Sequence, residues 1–163
     1  TAILSGLSPW NHGMLGYGVV AIRFPYEMPR AMSEGGYVSA SIGKDHFGWQ
    51  YTVEGLGHGF RHGYGNTTLY DGLGSGLPGS NEYDDYDQWF QTIHPGKVPM
   101  APGLDWNSWM GGHWPYNESS HPTAWTGRTA VAAIHSFAKS RAQTNAPFFL
   151  KVSFHRPHTP NVS

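Results

Sequence analysis

The sequence predicts an α/β protein built on a largely parallel sheet, and three observations carry that expectation. A helical apolar period beginning at Thr126 is followed by an unbroken apolar run from Phe148 to Phe154, the helix-then-buried-strand order of parallel sheets. A second run of β-compatible residues, Tyr37 to Ile42, follows a short helical stretch and is closed by Gly43. Each run leads directly into a polar cluster, Gly43 to Gly48 and His155 to Pro160.

Taken in order, Ala2, Ile3 and Leu4 form the tail of an apolar element closed by Ser5 and Gly6, since glycine is a common helix stop. Ser8 to Gly13 is turn chemistry, and Val19 to Ile22 is a short apolar run compatible with a strand or a buried loop. Pro29 to Glu34 forms a short helix, with proline in its first turn and Gly35-Gly36 past its end. Tyr37 to Ile42 is the first firm strand.

From Gly55 to Pro122 the chain is dense in glycine and aromatic residues and keeps no sustained period of 2 or 3.6. It reads as a long irregular excursion, of the kind that often lines or covers a site. Trp89, Phe90, Trp106, Trp109 and Trp114 are too apolar for a solvated tether; they stack on a sugar or fill a core, and core is favoured. The expected organisation is one domain over residues 1–163, with 1–54 and 123–163 as sheet core and active edge around the excursion. Thr126 is expected to cap a helix whose apolar face is Ala130, Val131, Ile134, Phe137 and Ala138, with Lys139 and Arg141 in its last turn.

Composition narrows the functions. The 163 residues include 22 Gly and 12 Pro, about a fifth of the chain against roughly 12% in average usage, which excludes a long coiled coil. A formal net charge of −1 leaves no electrostatic footprint for nucleic acid. Aromatic residues at 15% are more than a solvated, disordered chain carries. The apolar runs are too short to span a bilayer. With no Cys, disulfides, cysteine zinc sites and a cysteine nucleophile are excluded within these residues.

The chemistry is expected at the two polar clusters. If their strands are parallel neighbours, both lie on one edge of the sheet, the edge where open α/β sheets bind ligands. In an extended segment Lys44 and His46 point to the same side, and His155 opposes them from the second cluster. One cation and two imidazoles suit an oxyanionic substrate, the lysine holding charge and the histidines handling protons near neutral pH. The same Gly-Lys-Asp-His-Phe-Gly turn is also compatible with an exposed loop without a task.

The remaining histidines and acids have plainer readings. His12 is expected to bond its own loop, and His158 to brace the turn between Pro157 and Pro160. His58 and His62 have a zinc-like spacing, which the flanking Gly57, Gly59 and Gly63 argue against. Asp84-Asp85 reads as a solvated acidic turn, with a hard cation as the alternative. His113, His121 and His135 are read as structural.

Three segments in order resemble the type I sulfatases: Ser5 to Met14; Glu34 to Tyr37 leading into Ile42 to Gly48; and Pro147 to Leu150 leading into Val152 to Pro160. The closing segment is most similar to the iduronate-sulfatase and choline-sulfatase side of that family. The resemblance implies an alkaline-phosphatase-like fold, incomplete in this chain, and hydrolysis of sulfate esters through a formylglycine made from Cys or Ser in a C-x-P-S-R signature. The chain is expected to begin just after that signature, leaving the formylglycine and the Ca2+ ligands outside it and the piece alone inactive. The resemblance assigns Lys44 to sulfate and aldehyde-hydrate contact, His46 to hydrogen bonding with the formylglycine, and His155 to the leaving-group oxygen. Asp45 stands where many members carry an aromatic residue.

A sulfated small molecule or saccharide is the implied substrate. The implied rivals are a phosphodiesterase or phosphonate monoester hydrolase of the same superfamily, and a non-catalytic binding protein on the same scaffold. Asn66-Thr67-Thr68, Asn117-Glu118-Ser119 and Asn161-Val162-Ser163 satisfy the N-glycosylation pattern. An extracytoplasmic location, whether secreted, periplasmic or lysosomal, is expected.

Overall fold

The computed structural model describes residues 1–16, 21, 23–46, 61–71, 84–100, 103–104 and 108–162. Among the described residues, five helices and five strands follow in chain order: α1 (Ala2–Ser5), α2 (Pro9–His12), α3 (Met28–Glu34), β1 (Val38–Gly43), β2 (Asn66–Leu69), α4 (Asp85–Ile93), β3 (Gly111–Gly112), α5 (Pro122–Thr144), β4 (Phe148–Ser153) and β5 (Asn161–Val162). A 3₁₀ turn, Glu118–Ser120, precedes α5. Among the described residues no helix is long and apolar enough to cross a membrane.

The main sheet has the order β2-β1-β4. Its direction follows from the backbone bonds. Val38 N–H donates to Pro147 and Lys44 N–H to Ser153, while Gly65 N–H donates to Ser39 and Tyr70 N–H to Gly43. Partner numbers rise together on both sides of β1, so all three strands are parallel. The expected α/β architecture with a parallel sheet is therefore present.

The chain divides into two compact units. The first comprises Thr1–Ser41, His46–Thr68 and Ala133–Lys151. Its apolar core is Leu4, Phe24 and Tyr64, with Met14 and Phe149 packed against it; the Tyr64 and Phe149 rings stack at 6.0 Å. Helix α1 stops where expected, with Gly6 at φ 68°. Ser8 to Gly13 is not a simple turn: Pro9 opens a helical turn that Gly13 ends at φ 80°. The Val19 to Ile22 run, apart from Ala21, lies outside the described residues.

The second unit comprises Ile42–Asp45, Leu69–Ala132 and Val152–Ser163. Its core is aromatic: Tyr70, Tyr86, Phe90 and Trp125, with Trp89, Trp114 and Tyr116 against them. Tyr86 and Phe90 are fully buried, each worth about 2–3 kcal/mol of transfer free energy. The Tyr86 hydroxyl is satisfied by the Ser120 carbonyl at 2.8 Å, so its burial leaves no orphaned donor. The aromatics at 89, 90, 114 and 125 thus fill a core, as favoured from the sequence, whereas Trp109 is 95% exposed and Trp106 lies outside the described residues.

Two expectations are corrected here. The stretch 55–122 carries strand β2 and helix α4 among its described residues. Helix α4 exists because Asp84 caps it, accepting from the Tyr86 and Asp87 amides, and because Tyr86 and Phe90, four apart, bury one face. Helix α5 begins at Pro122, not Thr126, and Thr126 is 1% exposed inside it. The buried residues are consequently Pro122, Trp125, Thr126 and Ala130, while Val131 and Ile134 are exposed. His121, an unusual capping residue, accepts the Thr123 amide on Nδ1.

Candidate active site

Strand β1 ends at Gly43 with φ 94°, a conformation that side chains resist. A Cβ there would lie 2.1 Å from the Ser153 carbonyl oxygen and 3.2 Å from Thr126 Cγ2. Glycine therefore lets β1 close on β4 and turn away. Lys44 follows at once, its amide donating to Ser153 O at 2.9 Å. His155 is two residues beyond that acceptor, so Lys44 and the His155 segment stand together at the carboxyl ends of neighbouring parallel strands, within the second unit.

Lys44 is half-buried. Burial pushes its ammonium below the ordinary lysine range, and the Asp71 carboxylate pulls in the opposite direction. Asp71 Oδ1 also accepts the Asp45 amide at 2.8 Å. His46 opens the next stretch of the first unit. It adopts φ 53°, so the two-residue alternation of an extended strand does not extend to it; its Nε2 is enclosed. Phe47 and Gly48 lie outside the described residues.

His155 is 7% exposed, with both ring nitrogens enclosed. Its ring lies 5.3 Å from Tyr70 and 4.8 Å from His158. Tyr70 is kept protonated, first by burial and next by the Asp84 charge, with Arg156 opposing. The turn after His155 is braced as expected: His158 Nδ1 meets Thr159 O at 2.6 Å, and Arg156 donates to the carbonyls of His158 and Pro160. The peptide bonds before Pro157 and Pro160 are cis. Beyond the turn, Asn161 and Val162 pair in parallel with Gly111 and Gly112.

Asp84 and Asp85 are not a solvated acidic turn. Asp84 is 3% exposed, and its carboxylate accepts from Asp71, Tyr86 and Asp87 amides. Asp85 Oδ2 accepts the Leu69 amide at 2.6 Å. Backbone donors claim both side chains, and among the described residues no group of three or more His, Cys, Asp or Glu is placed to hold a metal ion. His58 lies outside the described residues, and His62 is engaged with Glu27 at 2.7 Å. His12 accepts its own loop's Met14 amide, as expected.

Tyr70 and Asp71 are members of this edge that composition and period do not reveal. Their signal is short: Asn66 to Leu69 is a four-residue strand with Thr67 and Leu69 buried, and an Asp-Gly pair follows in sequence, a strand and stop submerged in a glycine-rich stretch.

The chain is thus an α/β protein in which a lysine and an enclosed imidazole stand at the carboxyl edge of a parallel sheet, the edge where open α/β sheets bind ligands. The chain is similar to an arylsulfatase of Clostridium perfringens (strain 13 / Type A), with 32% identity over 169 residues, covering 98% of this chain and 32% of the relative. No family model matches. The chain spans about a third of the length of the curated relative it matches.

Proposed function

We propose that the chain is part of the catalytic domain of a sulfuric ester hydrolase with an alkaline-phosphatase-like fold, on the iduronate-sulfatase and choline-sulfatase side of the family. The observation that carries the reading is the Lys44 to Ser153 bond, which sets a cation beside the His155 turn, together with the likeness to an arylsulfatase along nearly the whole chain. The substrate class is a sulfated small molecule or saccharide, and the location extracytoplasmic.

In this reading the Lys44 ammonium binds the sulfuryl oxygens, where its half-buried position strengthens its attraction for developing negative charge. His155 donates a proton to the departing alcohol oxygen. Enclosure by Tyr70 and His158 fixes its ring. His46 holds or moves a proton beside the nucleophile. In the complete enzyme a formylglycine would provide the attacking oxygen and Ca2+ the neutralisation of sulfate charge.

The test compares 4-nitrophenyl sulfate with the diester bis(4-nitrophenyl) phosphate on the complete protein, since one leaving group isolates the choice of acid. A kcat/KM higher on the sulfate, and lowered by about 10² to 10³ in Lys44→Ala, is expected. Preference for the phosphate would assign the chain to the phosphodiesterase branch. Absence of turnover on both would favour a binding protein.

A further inference from the structure

We infer that Asp71 is a positioning residue for Lys44, holding the Gly43–Asp45 turn from the end of the neighbouring strand and placing a fixed negative charge beside the lysine. The role rests on the reading of Lys44 as the sulfate-binding cation.

Three contacts build the arrangement. Tyr70 N–H donates to Gly43 O at 3.1 Å, so the segment leaving β2 runs alongside the turn that presents Lys44. Asp71 Oδ1 then accepts the Asp45 amide at 2.8 Å, which pins the residue after Lys44. Asp71 is itself pinned, because its amide donates to Asp84 Oδ2 at 2.7 Å. Asp84 is buried and caps α4 through Tyr86 and Asp87. A rigid helix terminus thus fixes Asp71, and Asp71 fixes the turn.

The charge has a separate task. A lysine drawn out of water loses its proton more readily, and a neutral amine does not hold sulfuryl oxygens. The Asp71 carboxylate opposes that loss, while its Oδ1 accepts a backbone amide. Among the described residues, the other ionisable groups on the surrounding segments of this unit include Asp45, Tyr70, Asp84, Asp85 and Asp87 on the acidic side, and Arg128, His155, Arg156 and His158 on the basic side. Asp84 and Asp85 already serve backbone amides, and helix α5 brings the uncharged Thr126 against Gly43. Asp71 is the group whose charge acts on Lys44 against burial.

Asp71→Asn separates the two tasks, because the amide oxygen still accepts from Asp45 while the charge is gone. In the complete protein, the alkaline limb of kcat/KM on 4-nitrophenyl sulfate should move to lower pH, with a loss of at least about tenfold at the alkaline end. Asp71→Glu should restore part of it. Competitive labelling of Lys44 by acetic anhydride across pH, read by mass spectrometry, reports the same protonation midpoint without turnover. A lowered midpoint in Asp71→Asn supports the inference even if sulfate esters prove not to be the substrate, which would sink only the functional reading. An unchanged midpoint, or a uniform loss of activity at every pH, overturns it.

Discussion

His62 Nδ1 lies 2.7 Å from Glu27 Oε1, joining two side chains 35 positions apart. Both side chains are fully enclosed. Glu27 also accepts from the Phe24 amide at 3.0 Å and from Arg30 Nε at 3.1 Å, while the Phe24 ring stacks on His62 at 5.8 Å. Gly63, at φ 92°, lies against the Arg30 backbone, where a Cβ would come within 2.4 Å of its nitrogen. One carboxylate therefore gathers a loop, the start of α3 and the approach to β2.

Burial pushes the Glu27 pKa up, but the bonds from Phe24, His62 and Arg30 outweigh it and leave it below the ordinary 4.5. A depressed carboxylate contributes stability that is complete above its unfolded value and lost as pH falls through the folded one. Glu27→Gln should therefore cost about 3 kcal/mol at neutral pH and flatten the decline in stability between neutral and acid. Urea unfolding across that range measures both. A decline as steep as in the wild type would refute the assignment.

Gly43→Ala should be among the most damaging small substitutions. It meets the Ser153 carbonyl at 2.1 Å in a backbone conformation closed to alanine, so relief requires β1 and β4 to part. A loss of at least about 2 kcal/mol is expected, with displacement of Lys44. Unfolding and sulfate-ester turnover should fall together; a fully stable variant would show that the strand end yields.

His155→Gln tests proton donation. An ester of a basic alcohol needs protonation as it leaves, whereas 4-nitrophenolate departs unaided. The loss should reach about 10² to 10⁴ on an alkyl sulfate and be much smaller on 4-nitrophenyl sulfate. Equal losses would point to placement of the turn instead.

The sheet was legible because its evidence is concentrated. Tyr37 to Ile42 and Phe148 to Phe154 are compact apolar runs with clear stops, and the structure draws β1 and β4 within a residue of those bounds. The juxtaposition of Lys44 with the His155 segment followed from parallel pairing alone. Helix α5 was harder. A period of 3 and 4 continues around a helix wherever it starts, so a plausible cap at Thr126 shifted the expected face onto Val131 and Ile134, which are exposed. The true start rests on Pro122 and an imidazole cap.

The acidic residues were the least legible. Asp84 and Asp85 beside tyrosines look solvated in sequence, yet both are consumed by amides of β2, Asp71 and α4. Nothing local announces the Leu69 and Asp71 amides, which lie more than ten positions from the carboxylates they reach. Asp71 was hidden for the same reason. Its partners are set by tertiary pairing, and a four-residue strand within glycine-rich chain leaves little period to detect.

The pairing of β1 with β4 also governs how the molecule is made. Ser41 and Lys151, which meet through their side chains, stand 110 positions apart. During synthesis β1 must wait until almost all of that intervening chain has emerged before its second neighbour arrives. Closing so long a loop is slow and costs chain entropy before any strand bond repays it. In that interval the Ala40 and Ile42 side of β1 and its open edge are available to other nascent chains. Expression yield should therefore respond to translation speed and chaperone supply more than to the stability of the finished protein.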